Sequence, residues 1–228
     1  MAKLIIDSMT SLEAFDVCRE NTTELLPYIV RLIMENEKRY KRTVYAGNKT
    51  MYWFKRTCFE RNGISYCIIP YSNGKSDYKK YGLLFFIIAE FTHRGNTYYG
   101  ERLNNGQMRI FTNHFLGRYI ERHLKDDSTP SIETLITFLM ETHGHSFGFM
   151  QTSRDGSDII AQTNIGSICE TVLSPTILLA KTFVDNETIV RGPKKEAYEK
   201  NKILSGVAYY NKLGLRVMPN ISNTFFRV

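Results

Sequence analysis

The sequence predicts an α+β fold: two antiparallel β-meanders, of about five and four strands, separated by a helix pair and flanked by N-terminal and C-terminal helices. Three observations predict it. Capping boxes and apolar residues at helical spacing mark the start of the chain as helical. From Lys49 onward, apolar runs of strand length are separated by turn dipeptides, Asn62-Gly63 foremost. The cleanest helical spacing, Ile132, Leu135, Ile136, Leu139 and Met140, then interrupts the strands.

Thr10 with Glu13 forms a capping box for a helix through about Arg19, and Asn21 with Glu24 forms a second for a helix to about Lys41. Leu25, Leu26, Ile29, Val30 and Ile33 are its apolar side. Lys38, Arg39, Lys41 and Arg42 lie at its C-terminal end, where cations complement the helix dipole. Strands follow over 51–60, 64–70, 83–92, 97–103 and 107–111, with Asn73-Gly74 read as a loop. Helices over 113–125 and from Thr129-Pro130 to Gly144 come next. Strands at 145–152, 158–163, 167–173 and 177–184 precede a helix over 193–212 that Gly214 closes. A soft boundary divides 1–108 from 109–228; no linker lies between them, so the two parts are free to share one core.

A chain of 228 residues with 43% hydrophobic content buries a core as one large domain or two small ones. Its net charge of +7 favours an anionic partner such as nucleic acid. Cys18, Cys58, Cys67 and Cys169 form no Cys-x-x-Cys pair and are read as thiols in a reducing cytosol, so a cytoplasmic location is expected. The N-terminus lacks a signal-peptide core, and the longest apolar run, 82–89, falls far short of the ~20 residues of a membrane helix. No membrane partner is expected.

Gly74-Lys75-Ser76 resembles the end of a phosphate-binding loop, but the earlier glycine is replaced by Ile69 and no helix is expected after it. Nucleophile-elbow, zinc-protease and dinucleotide fingerprints are absent from the sequence. All five histidines lie between 93 and 145, and His143, His145, His93 and Glu90 are the conceivable metal ligands. They do not make a dense ligand set, so no metal and no cofactor are expected.

The most distinctive stretch is 109–125. On a helical wheel, Phe115, Leu116, Tyr119, Ile120 and His123 share one face, with His123 read as packed. His114, Arg118, Glu121, Arg122 and Lys125 share the other, beginning from a cap at Thr112 or Asn113. A solvated Arg/Glu face is the default reading; an imidazole beside two guanidiniums is also a base beside phosphate clamps. Arg191, Lys194, Lys195 and Lys202 on the last helix are nucleic-acid-binding candidates alongside Tyr198, Tyr209 and Tyr210, although Glu196 and Glu199 favour an ordinary solvated face.

The Thr112, His114, Arg118, Arg122 pattern, with the helices and meander over 110–190, resembles the barnase/RelE-like (BECR) superfamily of toxin ribonucleases. The resemblance covers about a third of the chain and leaves the first hundred or so residues without a counterpart. It implies metal-independent cleavage of RNA, with a general base on the 2′-hydroxyl and cations on the phosphate. Carried onto this chain, His114 is the base or acid, and Arg118 and Arg122 hold phosphate. Lys181 supports developing charge and Glu170 is an acid/base partner, each of the two equally readable as a strand-end residue reaching solvent. The partners expected are RNA or another nucleic acid, with a protein inhibitor or other protein partner held open. The competing class is a non-catalytic nucleic-acid- or protein-binding protein of a phage or mobile element. What separates the two is whether the strands after residue 145 present polar groups towards His114.

Overall fold

The computed structural model describes residues 3–142, 149–151, 157–185 and 188. It mixes helix and sheet, with helices at the N-terminus and one large sheet. Helix α1 (Ser11–Glu24) begins with the expected box: Thr10 Oγ1 accepts from Glu13 N at 3.3 Å, and Glu13 Oε2 accepts from Thr10 N at 2.7 Å. The second box does not form. Asn21 is buried, and its side chain clasps the backbone of Lys3, accepting from its N at 2.9 Å and donating to its O at 2.7 Å. α1 therefore runs on through Asn21. The break falls before α2 (Leu26–Ala46), whose first turn holds a proline.

The strands are β1 (Tyr52–Trp53), β2 (Thr57–Arg61), β3 (Ile64–Ser72), β4 (Leu84–His93), β5 (Asn96–Arg102) and β6 (Met108–Thr112). Between β3 and β4 lies α3 (Gly74–Tyr81), where a loop is expected from the sequence. Its polar composition hides it. Tyr78 anchors it in the core and Lys79 and Lys80 suit its C-terminus. After β6 come α4 (Asn113–Tyr119), a π-helical turn (Ile120–Leu124) and α5 (Ile132–Thr142). They lead to β7 (Phe149–Gln151), β8 (Asp158–Gln162), β9 (Gly166–Ser174) and β10 (Ile177–Asp185).

These strands do not form two separate antiparallel sheets. They form a single ten-stranded mixed sheet in the order β1-β3-β4-β5-β6-β10-β9-β8-β7, with β2 also on β3. The join is parallel, with Met108 to Phe111 of β6 in register with Ile177 to Ala180 of β10. Both segments are buried along nearly their whole length, as strands covered on both faces must be. The parallel pair needs a long crossover, and α4, α5 and β7–β9 supply it. Asn62 (φ 56°) and Gly63 (φ 70°) take the left-handed backbone of the predicted hairpin turn.

Alternation along the strands sends side chains to two cores. One face packs Tyr66, Ile68, Ile87, Ala89, Met108, Ile110 and Ile177 against Phe15 and Cys18 of α1 and Ile29 and Ile33 of α2. The other packs Ile88, Tyr99, Phe111, Ile159, Ile168, Ala180 and Phe183 against α4 and α5. Cys58 and Cys67 stand opposite each other on β2 and β3, Cα atoms 4.3 Å apart, and are joined by a disulfide, whereas Cys18 is a buried thiol. Hairpin register, invisible to a scan for Cys-x-x-Cys, turns two of the four expected thiols into a cross-strand pair. Among the described residues no helix is long and apolar enough to cross a membrane.

Candidate functional site

Thr112 fixes where α4 starts. Its backbone is extended and its Oγ1 accepts from Phe115 N at 3.1 Å. Phe115, Leu116, Tyr119 and Ile120 are then buried, as the wheel requires. Phe115 and Tyr119 meet Phe138 edge-on at 5.3 and 5.2 Å and Phe183 at 6.2 and 5.5 Å, so α4, α5 and β10 share one aromatic cluster. The π turn ends at Lys125, left-handed at φ 56°, whose N–H closes on Ile120 O at 2.7 Å.

The opposite side carries the row. His114 is exposed, Arg118 and Arg122 are half-buried, and Lys125 is exposed. Arg118 Nη1 lies 2.6 Å from Glu121 Oε2, the surface pair that the default reading expects. Arg122 Nη1 donates to Phe183 O at 2.8 Å, tying the π turn to β10. Asp185 lies near it. Burial pushes the Asp185 carboxyl up, but hydrogen bonds from Thr188 outweigh burial and Arg122 adds to them, leaving it below the ordinary value.

His123 packs its ring against the core as the wheel argument expects, edge-on to Phe183 at 6.3 Å, but it is not enclosed: its side chain is 30% exposed with Nε2 3.1 Å from Glu141 Oε2. Its ring stacks on Tyr119 with centroids 5.4 Å apart, and the Tyr119 hydroxyl donates to the same Glu141 oxygen at 2.6 Å. Burial first, then this hydrogen bond, raises the pKa of Tyr119. A carboxylate thus orients an imidazole beside Arg122. The helical pattern alone hides this, because Glu141 comes from α5, far along the chain.

The remaining candidates do not join the row. Glu170 is 1% exposed, and its Oε1 accepts from Arg109 Nε at 2.5 Å. Arg109 Nη1 reaches Glu101 Oε2 at 3.3 Å. Burial raises the pKa of both carboxyls, Arg109 opposing it in each and Glu170 adding to it at Glu101. Glu170 thus belongs to an internal charge cluster, closed off from the outer side of α4. Lys181 is exposed at a register irregularity between Ala180 and Thr182, with Nζ 3.0 Å from Asp158 Oδ1. Asp158 alternates with Ile159, whose side chain joins the α4/α5 core, so this pair lies on the other side of the sheet.

Arg191, Lys194, Lys195 and Lys202, the helix expected over 193–212, and His143 and His145 lie outside the described residues. Among the described residues no group of three or more His, Cys, Asp or Glu side chains is arranged to hold a metal ion. Comparison with protein-family models, with curated proteins and with solved structures finds no match to this chain.

Proposed function

We propose that this chain engages RNA, or another nucleic acid, along the outer side of α4 and the π turn. One observation carries the reading: His114, Arg118, Arg122 and Lys125 line the side of this element away from its buried face, while that face is fixed in the aromatic cluster. A rigid row of cationic and imidazole side chains on a +7 chain is suited to phosphates. Fluorescence anisotropy with a labelled single-stranded RNA tests it. Affinity is expected to fall steeply with salt, because bound phosphates release counterions. A flat salt response excludes it.

Metal-independent RNA cleavage, as the toxin-ribonuclease resemblance implies, is the second reading, and the His123–Glu141 pair favours it. An imidazole whose Nε2–H is held by a carboxylate keeps Nδ1 as its basic atom, the arrangement a general base needs. In this reading His114 or His123 is the base, the two lying on different sides of the element and too far apart to share one phosphodiester, and Arg118 and Arg122 hold the phosphate. Glu170 and Lys181 have no part, because one is enclosed with Arg109 and the other pairs with Asp158 across the sheet. Degradation of RNA in EDTA by the wild type, abolished in the His114→Ala/Arg118→Ala double variant with folding intact, is the expected result. An inactive wild type across several RNAs leaves binding alone.

A further inference from the structure

A second cationic site lies at the other face of the sheet. Arg102 ends β5 in register with Met108, whose side chain joins the α1/α2 core, so it points to the α1 side. Its Nη1 makes a long hydrogen bond of 3.4 Å to Leu103 O, and its Nε is buried with no partner among the described residues. Arg19 of α1 comes close enough for its charge, after burial itself, to lower the pKa of Arg102. Arg19 is half-buried, and its Nε lies 3.2 Å from Asp16 Oδ1. Asp16 also accepts from Thr176 Oγ1 at 3.3 Å.

The corner is built rather than incidental. The β5–β6 turn is tied to the β9–β10 turn by Gln107 Nε2 donating to Pro175 O at 2.9 Å and Met108 N donating to Thr176 O at 2.8 Å. Asp16 ties α1 to the same turn. Arg19 is held by Asp16 and lies near Glu20, whereas Arg102 makes no ion pair among the described residues, which leaves a partly desolvated guanidinium uncompensated and with an unmet N–H. Like charges in such a place repel unless a counter-ion joins them, and guanidinium forks match tetrahedral oxyanions.

We propose that Arg19 and Arg102, with Thr176 at the rim, form a binding site for a phosphoryl group. The group is either a free phosphate or a phosphate of a nucleic-acid strand. The site is separate from α4, and it stands whether or not the α4 row binds RNA.

The test uses the full chain, with inorganic phosphate in one arm and a single-stranded RNA oligonucleotide in the other, at fixed ionic strength against chloride. Phosphate is expected to raise the melting temperature and to titrate saturably. Arg102→Gln and Arg19→Gln are each expected to weaken binding by about ten-fold or more. Asp16→Asn is expected to tighten it, since it releases Arg19, an effect that a merely structural role does not produce. Response in the phosphate arm identifies a free-phosphate site, and an RNA affinity weakened by Arg19→Gln without a phosphate response identifies a strand phosphate. If Arg102→Gln fails to fold, Arg102→Lys, which keeps the charge and loses the fork, replaces it and is expected to weaken binding. Equal responses to phosphate and chloride together with RNA affinity unchanged by Arg19→Gln overturn the proposal. Unchanged RNA affinity in the α4 variants bears on the α4 reading alone.

Discussion

Arg109 on β6 donates to Glu170 on β9 at 2.5 Å, and β10 lies between the two strands. The ion pair therefore crosses the parallel join where β6 meets β10, while Glu101 on β5 holds the same guanidinium from the other side. Side chains from β5, β6 and β9 are thus clamped over the line at which β1–β6 meet β7–β10. Two buried carboxylates facing one guanidinium are a costly arrangement unless all three stay together.

Removing the cation is the sharpest perturbation. Arg109→Met leaves Glu101 and Glu170 buried without it and is expected to cost roughly 3–5 kcal/mol in urea denaturation. Adding Glu101→Gln and Glu170→Gln is expected to recover part of that loss. A loss below about 1 kcal/mol, or no recovery, contradicts the role assigned to the cluster.

The same cluster gives stability a pH dependence. Both carboxyls bind their proton more tightly folded than unfolded, above the ordinary 4.5, because burial outweighs Arg109. Their contribution is therefore full below that value and is lost as pH rises through the raised folded values. Urea midpoints are expected to fall over that span, and Glu170→Gln to flatten the slope. An unchanged slope in the variant rules out Glu170 as its source.

Gly166 opens β9 against Phe183, the ring shared by α4, α5 and β10. A Cβ there would lie 2.5 Å from Phe183 Cζ and 2.6 Å from Val184 O, closer than atoms pack, and the second of these neighbours is backbone. Gly166→Ala is expected to cost about 1–3 kcal/mol through overpacking, and to lower the melting temperature accordingly. A neutral substitution contradicts the packing described.

Sequence periodicity recovers elements whose signal is local. The Thr10 box, the Asn62-Gly63 turn, the cap at Thr112 and the buried row Phe115, Leu116 and Tyr119 are all fixed within a few residues of chain. What depends on distant partners is not legible in this way. Asn21 looks like a cap and serves Lys3; His123 packs as expected but also serves Glu141. The parallel join is hidden for the same reason, since nothing in β6 alone names β10 as its neighbour. The candidate site divides along this line. The His114, Arg118 and Arg122 row follows from helical geometry, whereas the places of Glu170 and Lys181 depend on strand register, which a bulge shifts between Ala180 and Thr182.

The His123–Glu141 pair separates binding from cleavage. If RNA is cut, Glu141→Gln is expected to reduce the rate by about 10²–10⁴-fold while leaving RNA affinity within a few-fold, because it removes the orienting carboxylate and no cation. Rates in EDTA and affinities by anisotropy check this. A cleaving protein whose rate survives Glu141→Gln places the base elsewhere.

The central claim is that the outer side of α4 meets nucleic-acid phosphates, and its most direct measurement is the salt dependence of single-stranded RNA binding by the wild type and by His114→Ala/Arg118→Ala. Log affinity is expected to fall linearly with log salt, with a slope shallower by about 0.7 for each phosphate that the variant no longer neutralises. A wild type that does not bind, or a variant with unchanged affinity and slope, contradicts it.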